Sequence, residues 1–551
     1  MKLNPNYIAK LKRAADSTPK SVVTTLPTSA PIILPPTPVI EAPRTELITQ
    51  VFNVPNVITN SKTLPPLYPF QAEALDKAIA LIDSDRSFQL VAPTGSGKTY
   101  LAGHILHYKQ QTRPTKHPIL WITKPSIVPQ STRVMLNDFH IKNLLVMSYP
   151  QMVTTLGRMY IEWYSQIVNQ EVVMKARWKD HFKPQFILCD ESHSLKNIDS
   201  QQSLIMQAAA DENIQSFFMS ATPYSRPIHT RVIACALKPM INYGGFSKQL
   251  TYKEFPSWVS TISRPSTPLE WCPKAMRKIT EVLEPYTLRF GKLTYQKKTI
   301  IKQIPCQFRD NASRQRYLDR MEEYKRKRIQ FGLDPSLGYH EVLVAQGQFQ
   351  EQADIERAPD SAGLAFEIEK SNKSVIVACK YKSALDIVHE HLLRRGILDS
   401  EISFIRGGQE AQERQRNIDR FQNGKARFLL LMFEAGGAGL SLHHHLSNQR
   451  PRVVIIPFVW NSESFVQVLG RAHRINSIST TYQYVMYFEG TIEEEVRDKV
   501  RGKCSALIEV VKKGEAWVKA FDEVIGGKSV ETVPDDEELD VDSGLEGEEE
   551  L

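Results

Sequence analysis

Two series of short apolar runs, each run bounded by polar turns and separated from the next by a helical pattern, determine the fold class of this chain. The first series is FQLVAP (88–93), ILWITKP (119–125), LLVMSY (144–149), FILCDE (186–191) and SFFMSAT (216–222). The second is SVIVACK (374–380), ISFIRGG (402–408), FLLLMFEA (428–435), RVVIIPF (452–458) and TTYQYVMYF (480–488). Such runs between helices are typical of parallel strands buried on both faces. The sequence therefore predicts an α/β fold with two doubly wound parallel-sheet lobes.

The domain boundaries follow from where these series begin and end. Before the first series, TLPTSAPIILPPTPVIEAP is rich in Pro, Ser and Thr, which favours a flexible arm. The basic start YIAKLKRAAD also fits a transit peptide. Between the two series the pattern is less regular, apart from a basic helix predicted at 313–328. The predicted units are a flexible arm (1–62), a first lobe (63–240), an insertion and linker (241–345), a second lobe (346–510), a C-terminal helix (511–530) and a disordered acidic tail (531–551).

The charge of the chain is distributed unevenly. Eleven of its 61 acidic residues lie in 531–551, which contains no Lys or Arg, so 69 basic residues face 50 acidic ones in the rest. This excess favours a polyanion such as nucleic acid as partner, although lysines spread over solvated faces would give the same count. We expect the acidic tail to compete with nucleic acid for a basic groove.

The composition also predicts the compartment. No run of about 18 apolar residues is present and the N-terminus lacks the apolar core of a secretory signal, so we expect no membrane association. The six cysteines are far apart and form no C-x-x-C pair, which argues against a zinc site or a disulfide framework. We expect an intracellular reducing compartment, either cytoplasm or nucleus, or a host cell if the protein is viral.

A glycine-rich segment, APTGSGKT (92–99), joins a predicted strand to a predicted helix. In this context backbone N–H groups and the helix N-terminus can bind phosphate, Lys98 can reach the β- and γ-phosphates, and the Thr99 hydroxyl can ligate Mg²⁺. The alternative is a glycine turn followed by a chance Lys-Thr, and the usual first glycine is replaced by Ala92. The predicted nucleotide-binding residues are Pro93, Thr94, Gly95, Ser96, Gly97, Lys98 and Thr99.

Two adjacent carboxylates, Asp190 and Glu191, stand at the end of the run FILCDE. Ligands bind at the carboxyl ends of strands in open α/β sheets, and neighbouring side chains there point in different directions. We therefore predict that Asp190 holds Mg²⁺ and that Glu191 is the base that activates water. A solvated pair of acids at a strand end is the alternative.

The order of these motifs resembles the superfamily 2 helicases and translocases. DESHSLKN (190–197), EAGGAGLSLHH (434–444), QVLGRAHRIN (467–476) and GTIEEEV (490–496) are similar to motifs of the Swi/Snf-type ATPases, and SATPYSRP (220–227) resembles the annealing-helicase branch. The resemblance covers residues 64 to about 500. It implies RecA-like lobes, ATP and Mg²⁺ as cofactors, and movement along DNA.

The resemblance also implies roles for individual residues. Gln71 would bind adenine, Gly437 the nucleotide, and His193, Ser220 and Thr222 would couple hydrolysis to lobe movement. The residues implied in contacts with the nucleic-acid backbone are Lys124, Pro125, Ser148 and Tyr149.

The segment QVLGRAHRIN supplies Gln467, Arg471 and Arg474 as further catalytic candidates. Arg471 and Arg474 are three residues apart, which on a helix places them on one face with Gln467. From the opposite lobe they could act as arginine fingers on the γ-phosphate, although two arginines on a solvated helix would have the same spacing.

Two positions depart from the Swi/Snf pattern. Ala221 stands where that pattern has Gly, and the resulting Ala-Thr-Pro is closer to strand-separating DExH enzymes. Ser441 replaces the usual Asn. The leading hypothesis is an ATP-dependent translocase or helicase on double-stranded or branched DNA, acting in replication, recombination or repair. The alternatives are a 3′–5′ DExH helicase on DNA or RNA, and a non-catalytic nucleic-acid-binding scaffold. Protein partners of the arm and the acidic tail are not indicated.

Overall fold

The computed structural model describes residues 64–93, 95–114, 116–168, 171–221, 223–224, 226–262, 272–290, 297, 299–333, 339–433, 440–445, 450–459, 462–474 and 476–498. The predicted arm, C-terminal helix and acidic tail lie outside the described residues.

The first lobe contains a six-stranded parallel sheet. Its first part comprises α1 (Pro69–Asp83), β1 (Phe88–Val91), α2 (Lys98–Thr112), β2 (Ile119–Thr123), α3 (Val128–Asn137), β3 (Leu144–Ser148), α4 (Thr155–Tyr160), β4 (Ile161–Val168) and β5 (Glu171–Trp178). It continues with β6 (Phe186–Asp190), α5 (Gln201–Asp211), β7 (Ser216–Ser220), α6 (Arg231–Leu237), β8 (Met240–Tyr243), β9 (Phe246–Gln249), α7 (Phe255–Ile262), α8 (Pro273–Leu283) and β10 (Thr287–Leu288). The strand order is β10-β1-β7-β6-β2-β3, and β4–β5 and β8–β9 are separate antiparallel hairpins.

The second lobe contains another six-stranded parallel sheet, with the order β11-β16-β15-β12-β14-β13. Its elements are β11 (Thr299–Cys306), α9 (Asn311–Leu333), α10 (Tyr339–Lys370), β12 (Ser374–Cys379), α11 (Lys382–Arg394), β13 (Ile402–Ile405), α12 (Ala411–Gln422), β14 (Phe428–Met432), β15 (Arg452–Pro457), α13 (Ser462–Ala472), β16 (Thr481–Phe488) and α14 (492–498). The predicted fold class of two parallel-sheet α/β lobes is confirmed, and each predicted apolar run forms a strand.

Each sheet is covered on both faces because successive residues of a strand point to opposite sides. In β6, Ile187 and Cys189 join one apolar cluster, while Phe186 and Leu188 join another. The same alternation divides β14 between two clusters of the second lobe. This double burial explains why the strands are nearly continuous apolar runs. None of the helices in the described part of the chain is long and apolar enough to cross a membrane.

The stretch 241–345, predicted as an insertion and linker, supplies an edge strand to each sheet. β10 pairs with β1 in the first lobe, and β11 pairs with β16 in the second. The apolar pattern does not identify them, because β10 has only two residues and β11 mixes exposed or half-buried polar residues with apolar ones. The basic helix predicted at 313–328 lies within α9, which is longer at both ends.

A buried ionic network fastens the GTIEEEV segment to the second lobe. Arg357 of α10 is 4% exposed, lies 3.2 Å from Oδ1 of Asp354, and forms a short ion pair with Glu493 of α14. The second oxygens of both acids accept backbone N–H groups, those of Lys380 and Phe488. Removing one member would leave a buried charge uncompensated, which typically costs about 3–5 kcal/mol.

Candidate active site

Most of the predicted site residues lie where the carboxyl ends of adjacent parallel strands meet. β1, β7, β6, β2 and β3 are consecutive neighbours in the first sheet. The phosphate loop therefore follows β1, the acid pair ends β6, and Ser220 ends β7, all at one edge. This edge is the usual ligand-binding edge of an open α/β sheet.

The phosphate loop has the backbone conformation that its glycines permit. Gly95 and Gly97 have φ values of +76° and +81°, in the left-handed region, and α2 begins at Lys98 immediately afterwards. Nζ of Lys98 donates to the carbonyls of Ala92 and Pro93 at 3.0 and 2.7 Å. The loop thus ends in a helix N-terminus with an ammonium group beside it, an arrangement suited to a polyphosphate. Thr99 is half-buried in the first turn of α2, and Thr94 lies outside the described residues.

Gln71 contacts the phosphate loop directly. Its side chain is buried, and its Nε2 donates to the carbonyls of Ser96 and Gly97, each at 3.1 Å. Its Oε1 accepts the N–H of Tyr68 at 2.9 Å. Gln71 therefore holds the loop in place, and its role in binding adenine stays a prediction.

The acid pair is buried and asymmetric. Oδ1 of Asp190 accepts the N–H of Glu191 at 2.9 Å, and its Oδ2 accepts the hydroxyl of Thr123 at 3.1 Å. Burial and the neighbouring charge of Glu191 raise the pKa of Asp190 to about 7. Glu191 has φ +51°, a left-handed conformation that is uncommon for a residue with a side chain.

Glu191 is the more acidic member of the pair. Burial by itself would raise the pKa of its carboxyl, but the charges around it lower the pKa below the ordinary value; these belong to His193, Lys124, Lys98 and Arg471. An ionised Glu191 can accept a proton from water, which is what a general base requires.

The residues present fit Mg²⁺. This ion is typically held by one or two carboxylates together with phosphate oxygens and water, rather than by a full protein cage. The buried carboxyl of Asp190 accepts hydrogen bonds from the Glu191 N–H and the Thr123 hydroxyl, and a bound cation would favour its ionised form. No group of three or more His, Cys, Asp or Glu suited to a metal occurs in the described residues.

His193 connects the acid pair to its neighbours. Its Nδ1 lies 3.3 Å from Oγ of Ser220 and 3.3 Å from Oε2 of Glu191. Its Nε2 lies 3.4 Å from Nε2 of Gln467, which belongs to the second lobe. The predicted coupling residues His193 and Ser220 are thus brought together, whereas Thr222 lies outside the described residues.

The two arginines of the second lobe approach this edge, but they do not lie on one helix as the sequence predicts. α13 ends at Ala472, so Arg471 is helical and Arg474 is not. The N–H of Arg474 donates to the Ser477 hydroxyl at 2.8 Å, a local side-chain bond that replaces the helical one. The guanidinium groups nevertheless converge, because both donate to the carbonyl of Leu440, at 3.5 and 2.5 Å.

Arg474 lies directly against the phosphate loop. A Cβ added at Gly95 would lie 2.0 Å from Cδ and 2.4 Å from Nη1 of Arg474. Arg471 is 4% exposed, and its charge is among those that lower the pKa of Glu191. Gly437, the remaining predicted nucleotide contact, lies outside the described residues.

Two of the four predicted nucleic-acid contacts do not fit the burial of their side chains. Ser148 and Tyr149 are each 3% exposed, and the Tyr149 hydroxyl donates to the carbonyl of Asp190 at 2.9 Å. As placed, neither side chain can contact a nucleic-acid backbone. Lys124 is half-buried and its charge acts on Glu191, while Pro125 beside it is exposed. The sequence patterns locate the ends of strands but do not say which side chains point inward there.

Sequence reasoning missed Thr123. It ends the run that forms β2, and its hydroxyl holds Asp190 because β2 lies next to β6. Without the strand order, no signal in the sequence distinguishes this threonine from other strand residues.

Family models match both lobes. The model described as "Type III restriction enzyme, res subunit" matches residues 64–225, and the model described as "Helicase conserved C-terminal domain" matches residues 362–476. The first match contains the phosphate loop and the acid pair, and the second contains Gln467, Arg471 and Arg474. The matched segments thus carry the residues that meet at the site.

Curated relatives match the chain at low sequence identity. The mouse (Mus musculus) SWI/SNF-related matrix-associated actin-dependent regulator of chromatin subfamily A member 1 is 21% identical over an alignment 524 residues long, which covers 85% of this chain and 46% of that protein. The TATA-binding protein-associated factor mot1 of Schizosaccharomyces pombe is 29% identical over 152 residues, 27% of this chain and 8% of that protein. The chain therefore spans less than half the length of these relatives.

Among solved structures, the Sulfolobus solfataricus SWI2/SNF2 ATPase core in complex with dsDNA is similar to this chain. Its sequence identity is 14%, its TM-score is 0.33, and the match covers 84% of this chain and 94% of that chain.

Proposed function

Because the chain belongs to the Swi/Snf-type ATPases of superfamily 2, we propose that it couples ATP hydrolysis to movement along double-stranded or branched DNA. The observation that carries this proposal is the approach of the two lobes at one nucleotide site. The first lobe supplies the phosphate loop and the acid pair, and Arg474 of the second lobe lies against Gly95 of that loop. A nucleotide bound there would contact both lobes.

The first lobe would bind the phosphates of ATP. Backbone N–H groups of the loop and the N-terminus of α2 would face a bound anion, and Lys98 adds a positive charge. In the structure Nζ of Lys98 is bound to two loop carbonyls. ATP would draw this ammonium group toward its β- and γ-phosphates.

Glu191 would act as the base in hydrolysis. Water attacks the γ-phosphorus, its proton passes to the Glu191 carboxylate, and the bond to the β–γ bridging oxygen breaks to give ADP and inorganic phosphate. Asp190 and Thr99 would hold Mg²⁺, which would neutralise part of the negative charge of the phosphates. Arg474 would stabilise the negative charge that develops on the transferred group.

The contacts of His193 connect this chemistry to movement of the lobes. One ring nitrogen faces Glu191 and Ser220 in the first lobe, and the other faces Gln467 in the second. A change at the γ-phosphate that shifts Glu191 would therefore reach the contact between the lobes. Cycles of closure and opening would move the two lobes in alternate steps along the track.

DNA is the track that the charge and the relatives favour. The basic excess outside 531–551 suits a phosphate backbone, and the mouse relative is named as a regulator of chromatin. A second candidate is a 3′–5′ strand-separating helicase, which is favoured by Ala221 between Ser220 and Thr222. A non-catalytic scaffold is disfavoured, because Lys98, Glu191 and Arg474 are all retained and converge.

Displacement assays distinguish the two motor functions. We expect the protein with ATP to release a third strand from a DNA triplex, because a duplex translocase pushes off what lies ahead of it, and to unwind a plain duplex poorly. Triplex release and duplex unwinding would be measured side by side, with Lys98→Ala as the inactive control. Efficient unwinding of plain duplex DNA or RNA would instead identify the strand-separating helicase.

A further inference from the structure

Three residues at neighbouring strand ends are joined by hydrogen bonds. Thr123 ends β2, Tyr149 follows β3, and Asp190 ends β6. The Thr123 hydroxyl donates to Oδ2 of Asp190 at 3.1 Å, and the Tyr149 hydroxyl donates to the Asp190 carbonyl at 2.9 Å. The N–H of Tyr149 donates to the Thr123 carbonyl at 3.0 Å, which closes a triangle. We define these three residues as the strand-end triangle.

The strand-end triangle holds the peptide group between Asp190 and Glu191 at both ends. Its carbonyl accepts from Tyr149, and its N–H donates to Oδ1 of Asp190 at 2.9 Å. Rotation of this peptide group would redirect the Glu191 side chain. Glu191 has a φ of +51°, a conformation that persists only where surrounding contacts enforce it.

The hydroxyls of the triangle have no alternative in solvent. Thr123 is fully buried and Tyr149 is 3% exposed. A buried carbonyl that loses its donor is left without water to replace it, which makes these bonds costly to remove. Filling the apolar core would require only the ring of Tyr149, and the placement of its hydroxyl on the Asp190 carbonyl goes beyond that need.

The triangle is continuous with two surface segments. Thr123 is followed by the half-buried Lys124 and the exposed Pro125, and Tyr149 is followed by the exposed Pro150. Both segments lie at the carboxyl edge of the sheet, where β2 and β3 are neighbours. A ligand that shifts either segment would move Thr123 or Tyr149, which lie one or two residues away along the chain. The hydrogen bonds of these two residues would pass the shift to Asp190.

We propose that Thr123 and Tyr149 are positioning residues that hold the Asp190–Glu191 peptide and make hydrolysis respond to nucleic acid bound at 124–126 and 150–151. This inference rests on the proposed function and deepens it, because it assigns a route by which the track stimulates the ATPase. Neither residue would touch ATP or nucleic acid.

The test compares Tyr149→Phe, Thr123→Val and Thr123→Ser with the unaltered chain, with kcat and KM for ATP measured with and without duplex DNA. We expect Tyr149→Phe and Thr123→Val to lower DNA-stimulated kcat by roughly 10-fold, the scale of one lost buried hydrogen bond. The KM should stay within about twofold, since these bonds hold the base rather than the nucleotide. Thr123→Ser keeps the hydroxyl and should restore most of the rate.

A matched control is Tyr160→Phe, because Tyr160 lies in the same apolar cluster as Tyr149, and no described hydrogen bond joins its hydroxyl to the acid pair. It should leave both rates unchanged. Equal losses in Tyr160→Phe and Tyr149→Phe would overturn the proposal, as would a Tyr149→Phe rate like that of the unaltered chain. A basal kcat that falls by the same factor as the stimulated one would overturn the link to the surface segments.

Failure of the proposed function would be visible separately. If the unaltered chain hydrolyses ATP at the same rate with and without nucleic acid, translocation is rejected and the route to the surface segments falls with it. The basal kcat of Tyr149→Phe would still decide whether the triangle positions Glu191.

Discussion

Glu191→Gln is expected to lower kcat for ATP hydrolysis by about 10²–10⁴-fold, the usual contribution of a general base. Glutamine keeps the size of the side chain but cannot accept the proton of the attacking water. The surrounding positive charges that lower the pKa of Glu191 would remain, so the phosphates of ATP should still bind. Steady-state hydrolysis and equilibrium binding of a fluorescent ATP analogue, measured on the same preparation, check both parts.

Glu390→Gln provides a control, because Glu390 is an exposed residue of α11 whose carboxylate forms an ion pair with Arg394 of the same helix. It should hydrolyse ATP at the unaltered rate. A Glu191→Gln variant that retains more than about a tenth of the kcat would contradict the assignment of the base, since this lies well outside the range for such a group.

Arg474→Ala is expected to lower kcat by about 10³-fold or more, within the range found for arginine fingers. Arg474 comes from the second lobe and lies against Gly95. The phosphate loop, Lys98 and the acid pair all belong to the first lobe and would remain in place. ATP binding should therefore change little while turnover falls. Arg474→Lys should recover only part of the rate, because an ammonium group lacks the planar fork that binds phosphate at two points.

Arg394→Ala is the matched control for this prediction. Its side chain is 64% exposed and forms an ion pair only on the surface of α11 among the described contacts. Its removal should leave kcat unchanged. Loss of ATP affinity in Arg474→Ala, with kcat at saturating ATP preserved, would assign Arg474 to ground-state binding and reject its role in the transition state.

The fold could be predicted where burial on both faces produces continuous apolar runs. β6 and β14 are such strands, and their sequences have few other interpretations. Edge strands lack this signal, so the sequence predicts an insertion and linker where β10 and β11 lie. The sequence does not predict α10, because Pro359 and Gly363 interrupt the helical pattern, whereas tertiary packing maintains the helix through both residues.

The site could be predicted where the chemistry is local in sequence. The phosphate loop and the acid pair are short segments whose spacing fixes their geometry, and both lie at the predicted edge. Contacts that depend on strand order could not be derived, and they include the bonds of Thr123 and Tyr149 to Asp190. The sequence predicts Arg474 on a helix, because nothing in the sequence shows that the Ser477 hydroxyl accepts the Arg474 N–H.

The most direct test of the central claim is the rate of ATP hydrolysis by the unaltered chain with no nucleic acid, with duplex DNA, with forked DNA, with single-stranded DNA and with single-stranded RNA. We expect duplex or forked DNA to give the greatest stimulation, and Lys98→Ala to abolish hydrolysis under every condition. Equal stimulation by single-stranded RNA would contradict the DNA assignment. A rate no higher than that of Lys98→Ala under all conditions would contradict the claim that the chain is a nucleic-acid motor.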